Sequence, residues 1–317
     1  MIVRAPGKVV LAGAYAVLEG APAWVAAVDR YVLADNSRSA SFVTPEVRQA
    51  LGDSAEQAAP WFDASELRDS GSDRKLGLGS SAAILVASLA ALESAPPPHD
   101  LELANRVFAR ALVAHRSAQG GGSGIDVAAS AFGGVLRFQR ASADELPEIA
   151  ARTLPDGLRI DVWSSPVSAS TSSLVARVSA LWRAGNLTCR SIIKRLRTAS
   201  ETCDSASSAD AWLNICREQL AGLSALGELA AIPIVTADMA AFQEAVREHG
   251  AVVLPSGAGG GDVFLVVTGR ADDPDLGAIA AAGQQLGLTP LHLVLGARGV
   301  HAVTTVPSCA PQRNLRS

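Results

Sequence analysis

Four groups of residues could do chemistry, and each does so through its spacing. The first is Lys75-Leu76-Gly77-Leu78-Gly79-Ser80-Ser81-Ala82-Ala83. Gly77 and Gly79 allow turns closed to other residues and let the backbone approach a ligand closely. Two hydroxyls follow, and then an apolar run from Ala82 to Leu92 reads as a buried helix. A glycine turn feeding a helix leaves N–H groups unpaired at the positive end of the dipole, which suits a phosphate. Ser80 and Ser81 can cap that helix or reach a metal ion on the phosphate. Taken alone, the stretch reads equally as a Ser-capped helix after a glycine turn. It lacks the Lys of a Walker loop and the third glycine of a dinucleotide turn.

The second group runs from Ala114 to Ala129, as Ala-His-Arg-Ser-Ala-Gln-Gly-Gly-Gly-Ser-Gly-Ile-Asp-Val-Ala-Ala. Glycines break one helix, and Asp126 opens another that ends near Phe132-Gly133-Gly134. Asp126 is either an N-cap or a carboxylate beside a transferred group. His115 is either a buried helix histidine or a catalytic one. The third group is Pro255-Ser256-Gly257-Ala258-Gly259-Gly260-Gly261-Asp262, whose glycines between two apolar strands serve no packing purpose. A flexible hairpin loop is the plain alternative. The fourth is Lys8, just after Pro6-Gly7, which is a solvated charge or part of a site.

These groups need elements to position them. Ile2 to Gly13 reads as two short strands interrupted at Pro6-Gly7, and Trp24 to Val28 as a strand ending at Asp29-Arg30. Residues 36–74 are polar and weakly patterned. Asp100 caps a helix from Leu101 to Ala118, after a break at Pro96-Pro97-Pro98. Strands follow at Val135–Phe138 and Leu158–Trp163, the latter after a turn at Pro155-Asp156-Gly157. The stretch Ser164 to Thr171 is rich in hydroxyls and precedes a helix from Ser172 to Trp182. Helices are expected over Ser191–Leu229, broken near Cys203–Ser208, and from Thr236 to Gly250. Strands Ala251–Leu254 and Val263–Val267 flank the glycine loop, and a helix starts at Asp273-Pro274. Leu291–Leu295 and Gly299–Val306 read as a closing hairpin, with a loose tail from Pro307.

Taken in order, Lys8, the glycine-serine loop, Asp126 and the second glycine loop resemble the GHMP kinases across nearly the whole chain. The opening Ala-Pro-Gly-Lys and the later Tyr-Ala-Val match the family's first motif, with Ala14 where the family usually has Glu. Three stretches look most like its phosphomevalonate-kinase branch: Ala-His with Ala-Gln-Gly and Gly-Ser-Gly-x-Asp-Val-Ala, Trp163 to Thr171, and Pro-Ser-Gly-Ala-Gly-Gly-Gly-Asp. The mevalonate-kinase branch has a magnesium-binding Glu at the position of His115. A neutral imidazole is a poor ligand for so hard a cation.

The resemblance implies an α/β (α+β) fold of two domains. Residues 1–160 would form a ribosomal-protein-like ATP-binding domain and 161–317 a ferredoxin-like domain, with the site between them. It implies ATP and Mg²⁺ as cofactors and transfer of the γ-phosphoryl group to phosphomevalonate. The alternatives are mevalonate or another small alcohol as acceptor, or a catalytically silent homologue. Lys8 and Asp126 would be catalytic. Lys75, Gly77, Leu78, Gly79, Ser80, Ser81 and Ala82 would hold ATP, with Ser80 or Ser81 on the metal. Asp126 would orient the acceptor or join the metal shell. Ser123, Gly124, Ser168, Ser170, Ser256, Gly257, Ala258, Gly259 and Gly260 would line the acceptor side.

Composition narrows the partners. A net charge of −4 gives no field that would recruit nucleic acid or an anionic membrane. An anionic small-molecule substrate then needs a local basic site, with Lys8, Arg74, Lys75, Arg116 and Arg137 as candidates. The four cysteines form no Cys-x-x-Cys pair, so reduced thiols are expected. No signal-peptide pattern and no apolar run of about 20 residues is present, so the expectation is a soluble cytoplasmic protein, monomer or homodimer.

Overall fold

The fold was analysed in a computed structural model that describes residues 1–93, 100–140, 145–167, 171–269 and 275–303. The chain begins with β1 (Ile2–Ala12) and β2 (Pro22–Ser39), then α1 (Pro45–Leu51), α2 (Ala55–Ala58) and β3 (Pro60–Asp63). Next come α3 (Ser80–Ala91), α4 (Asp100–Ala118), α5 (Ile125–Phe132), β4 (Val135–Gln139) and β5 (Glu148–Arg152). The second half runs β6 (Arg159–Ser164), α6 (Thr171–Arg183), α7 (Leu187–Thr202), α8 (Ala209–Ala230), α9 (Ala237–Val246), β7 (Val252–Pro255) and β8 (Val263–Thr268). It closes with α10 (Leu276–Gln285), β9 (Thr289–Pro290) and β10 (His301–Ala302).

Two antiparallel sheets result, in the orders β10-β1-β2-β4-β5, with β3 also on β2, and β7-β8-β6-β9. Helix α3 is apolar on every side, so it must be covered all round. It lies on β1 and β2 and beneath α1, α4 and α5, with Ala82 to Ala91 all buried. The second sheet is buried on both faces, and its residues alternate accordingly. Val252, Leu254, Val263, Leu265 and Val267 join the large core that includes α8. Val253, Phe264, Val266 and Trp163 meet α9 and α10 in a second cluster around Phe242. No helix among the described residues is long and apolar enough to cross a membrane.

Several sequence expectations change in three dimensions. Ile2 to Ala12 is one strand, because its pairing with β2 shifts register between Pro6 and Gly7 and resumes beyond it. The partner strand does not end at Asp29-Arg30. Those two residues fall in the register gap between Val28 and Tyr31, and β2 continues to Ser39. Leu291–Leu295 and Gly299–Val306 are not a hairpin. Leu295 bridges Val28 and β10 pairs with β1, so the chain returns to the first sheet. Pro96–Pro98, Asp273-Pro274 and the tail from Pro307 lie outside the described residues.

Candidate active site

Just after the register shift, β1 lies against the glycine turn. The Lys8 N–H donates to Leu78 O at 2.8 Å, and a Cβ on Gly7 would fall 2.9 Å from the same oxygen. The partly buried Lys8 side chain then runs along the turn, with Nζ donating to Gly77 O at 3.3 Å. Gly79 is the N-cap of α3 and has φ +79°; a Cβ there would meet Lys8 carbons at 3.1 Å and Asp126 Cβ at 3.7 Å. Only glycine fits that corner. Lys8, the turn and Asp126 therefore converge at the start of α3. Ser80 and Ser81 do not cap the helix through their side chains, since both lie within its first turn. The N–H groups of Ser80, Ser81 and Ala82 have no acceptor within the helix and face the end of the turn.

Asp126 is not the N-cap of α5; Gly124, at φ +84°, takes that place. The Asp126 carboxylate accepts from the Val127 N–H at 3.0 Å. Its other oxygen lies 3.2 Å from His115 Nε2, in a charge contact without the alignment of a full hydrogen bond. His115 is only 2% exposed, and its Nδ1 is buried without a partner. Burial alone would push the Asp126 carboxyl up, but His115, Lys8 and the Val127 N–H outweigh it and hold it at about 2. Burial works to lower the His115 pKa, but the charges of Asp126 and Glu46 prevail and raise it. Burial lowers the Lys8 pKa, against the opposing pull of Asp126 and Asp262. The result is a carboxylate held ionised between His115 and Lys8, beside a helix start that suits phosphate.

Residues 51–134, which carry the glycine turn, Asp126 and α5, match the family described as GHMP kinases N terminal domain. That stretch is similar to the N-terminal domain of the GHMP kinases. The chain is 27% identical to phosphomevalonate kinase from Streptomyces sp. (strain CL190), over 94% of this chain and 98% of that protein. It is 34% identical to mevalonate kinase from Archaeoglobus fulgidus, over 46% of this chain and 56% of that one. The structure of Streptococcus pneumoniae phosphomevalonate kinase in complex with phosphomevalonate and AMPPNP superposes with a TM-score of 0.68, at 20% identity over 93% of this chain and 99% of that one. The mixed α/β architecture is the two-domain fold of these kinases.

The second glycine loop joins the two sheets. Ser256 Oγ accepts from the Val10 N–H at 2.9 Å, and Ala258 O accepts from Tyr15 Oη at 2.7 Å. Gly257 lies 3.8 Å from Val10 Cγ2, measured from the Cβ it lacks. Gly259 and Gly260 pack on Ile234, the latter donating to Ile234 O at 2.9 Å. Gly77 faces Asp262 so closely that a Cβ would stand 2.6 Å from the Asp262 Cβ. Ser123 Oγ accepts from the Ile125 N–H, and its carbonyl accepts from Arg116. Ser168 and Ser170 lie outside the described residues. Ala14 is buried and brings no polar group to the position of the family Glu.

The basic candidates separate clearly. Arg74 is engaged by Asp262 at 3.2 Å and by Ser165 O at 2.8 Å, a clasp between the glycine turn and the second sheet. Arg137 is held by Asp204 and Gln139. Lys75 is exposed. Arg116 keeps a buried Nε without a partner. A groove of about 570 Å³ between α7 and α8, lined by Lys194, Thr198 and Glu218, shares no residue with the site.

Among the described residues no group of three or more His, Cys, Asp or Glu could hold a metal ion. A metal ion held here would therefore need further oxygen donors from a bound ligand, as Mg²⁺ takes beside phosphates. The available donors fit that ion, because Ser80 and Ser81 offer hydroxyl oxygens on α3. Ser81 Oγ lies 3.3 Å from Gln119 Nε2, which donates to a buried Glu46 carboxylate at 3.2 Å. The clasp, the His115–Asp126 contact and Glu46 were invisible to sequence reasoning, since no local signal marks them.

Proposed function

We propose that this protein transfers the γ-phosphoryl group of ATP to phosphomevalonate. The carrying observation is the meeting of Lys8 and Asp126 at Gly79, where α3 begins. The backbone from Gly77 to Ala82 would cradle the ATP phosphates. Mg²⁺, held on the Ser80 or Ser81 side, would neutralise charge on those phosphates. Lys8 stabilises charge on the group in transfer. Ser123, Gly124 and the loop from Ser256 to Gly260 border the acceptor. The division into residues 1–160 and 161–317 belongs to the proposal, with β10 crossing back to the first sheet.

Asp126 supports the choice of acceptor. A carboxyl held at about 2 is a weak proton acceptor at neutral pH. An alcohol must lose its proton to attack, whereas a phosphate monoester, with a second pKa near 6, is already anionic. Asp126 then orients the acceptor and fixes Lys8. Arg116 stands beside Ser123 as a cation for the incoming polyanion.

The test is ADP release with ATP and Mg²⁺, comparing phosphomevalonate, mevalonate and no acceptor. Turnover with phosphomevalonate alone is the expected result. Turnover with mevalonate alone would overturn the acceptor but keep the kinase. No turnover with either would move the reading to another acceptor or to a silent homologue.

A further inference from the structure

Glu46 is a carboxylate without a local purpose. It lies in the first turn of α1, which packs on α3 and α4, and is only 6% exposed. The N-terminus of α1 is already capped, by Thr44 Oγ1 accepting from the Val47 N–H at 3.3 Å. Among the described residues no Lys or Arg pairs with Glu46. Its charge helps raise the pKa of His115, but no side-chain cation bonds to it, and a buried carboxylate is costly unless the site is built to receive a positive charge. Its one hydrogen bond, 3.2 Å from Gln119 Nε2, leads onward from that nitrogen to Ser81 Oγ at 3.3 Å. The Gln119 amide thus sits between a carboxylate and a hydroxyl, the position a cation would take. Four residues before Gln119, in the last turn of α4, His115 has a buried Nδ1 with no partner.

We propose that Glu46 is the metal-holding carboxylate of this kinase, acting with Ser81 on Mg²⁺ through one bound water, with the Gln119 amide filling that place in the free protein. The inference rests on the kinase reading above. Mg²⁺ takes oxygen ligands at about 2.0–2.1 Å, keeps several waters and uses one or two carboxylates beside the phosphates. A metal on Ser81 Oγ, plus one of its waters, spans the gap to Glu46 without moving α1. The other nearby side chains are excluded by chemistry. His115 offers nitrogen, and one of its nitrogens faces Asp126. The Asp126 carboxylate is engaged by His115 and the Val127 N–H.

The test uses Mn²⁺ as the probe, with free Mn²⁺ followed by electron paramagnetic resonance in the presence of AMPPNP. AMPPNP binding in EDTA is measured in parallel by calorimetry. Glu46→Gln should weaken Mn²⁺ binding about 10-fold or more, the scale of losing a metal-orienting partner, and leave metal-free AMPPNP binding unchanged. Gln119→Ala removes the competing amide, so it should leave Mn²⁺ affinity unchanged or raise it. If Gln119→Ala weakens Mn²⁺ as much as Glu46→Gln does, the three residues are only a structural link and the proposal is overturned. Unchanged Mn²⁺ affinity in Glu46→Gln overturns it as well. If Glu46→Gln does not fold, Glu46→Asp keeps the charge one methylene shorter and must still weaken Mn²⁺ binding; no change there would refute the assignment. A wild-type protein that binds no Mn²⁺ with AMPPNP overturns the kinase reading itself, and this inference with it.

Discussion

Replacing Asp126 with Asn keeps the shape of the side chain and removes its charge. The carboxyl is held at about 2 against an ordinary value of 3.8. A depression of roughly two units corresponds to about 2.5 kcal/mol of preference for the anion, at 1.36 kcal/mol per unit. Folding therefore gains from this anion above the unfolded-state value near 3.9, and the gain is lost as pH falls through about 2. Asp126→Asn should accordingly lower stability at pH 7 by up to about 2 kcal/mol, and the difference should shrink as pH falls through about 2, where the folded carboxyl takes up its proton. Turnover should fall at least ~100-fold, since the amide neither fixes Lys8 nor repels a misplaced acceptor. The assays are ADP release at saturating substrates and urea unfolding at several pH values. Turnover within about three-fold of wild type, or a stability difference independent of pH, would refute the reasoning.

Three further outcomes are expected. Lys8→Met should lower turnover at least ~100-fold while its melting temperature holds or rises, because burial already disfavours the Lys8 charge; calorimetry and ADP release check both. Gly79→Ala places a side chain at φ +79° and 3.1 Å from Lys8, so it should destabilise by about 1–2 kcal/mol and weaken AMPPNP binding in titration calorimetry. Arg74→Met breaks the ion pair to Asp262 and the bond to Ser165 O, and urea unfolding should register a loss of about 1–2 kcal/mol.

The local parts of the site were legible in the sequence. Gly77, Gly79 and the apolar run after them specify a tight turn into a buried helix, because those constraints act between near neighbours. The place of the glycine loop between β7 and β8 was legible too, as was the helix opened by Thr236, whose hydroxyl caps α9; the expectation that the loop's glycines serve no packing purpose fails, since a Cβ on Gly259 or Gly261 would clash with the Ile234 or Val167 carbonyl. Strand extents and pairings were less legible. Whether Asp29-Arg30 ends a strand or falls in a bulge depends on the register with β1, which no window around residue 29 contains. Nor could the stretch after Leu291 announce that it would leave the second sheet and pair with β1.

Sequence alone determined which groups this protein can bring to a phosphate: a lysine after a turn, a glycine-capped helix start, an aspartate after a glycine run and a second glycine loop. Tertiary structure alone decided how those groups are tuned and which outsiders join them. Arg74 finds Asp262 across 188 positions, and Glu46 reaches Gln119 across 73. His115 becomes the partner of Asp126 only because α4 and α5 pack side by side. The physical reason is that backbone turns and caps answer to near neighbours, whereas the charge state of a buried side chain answers to whichever element folds against it.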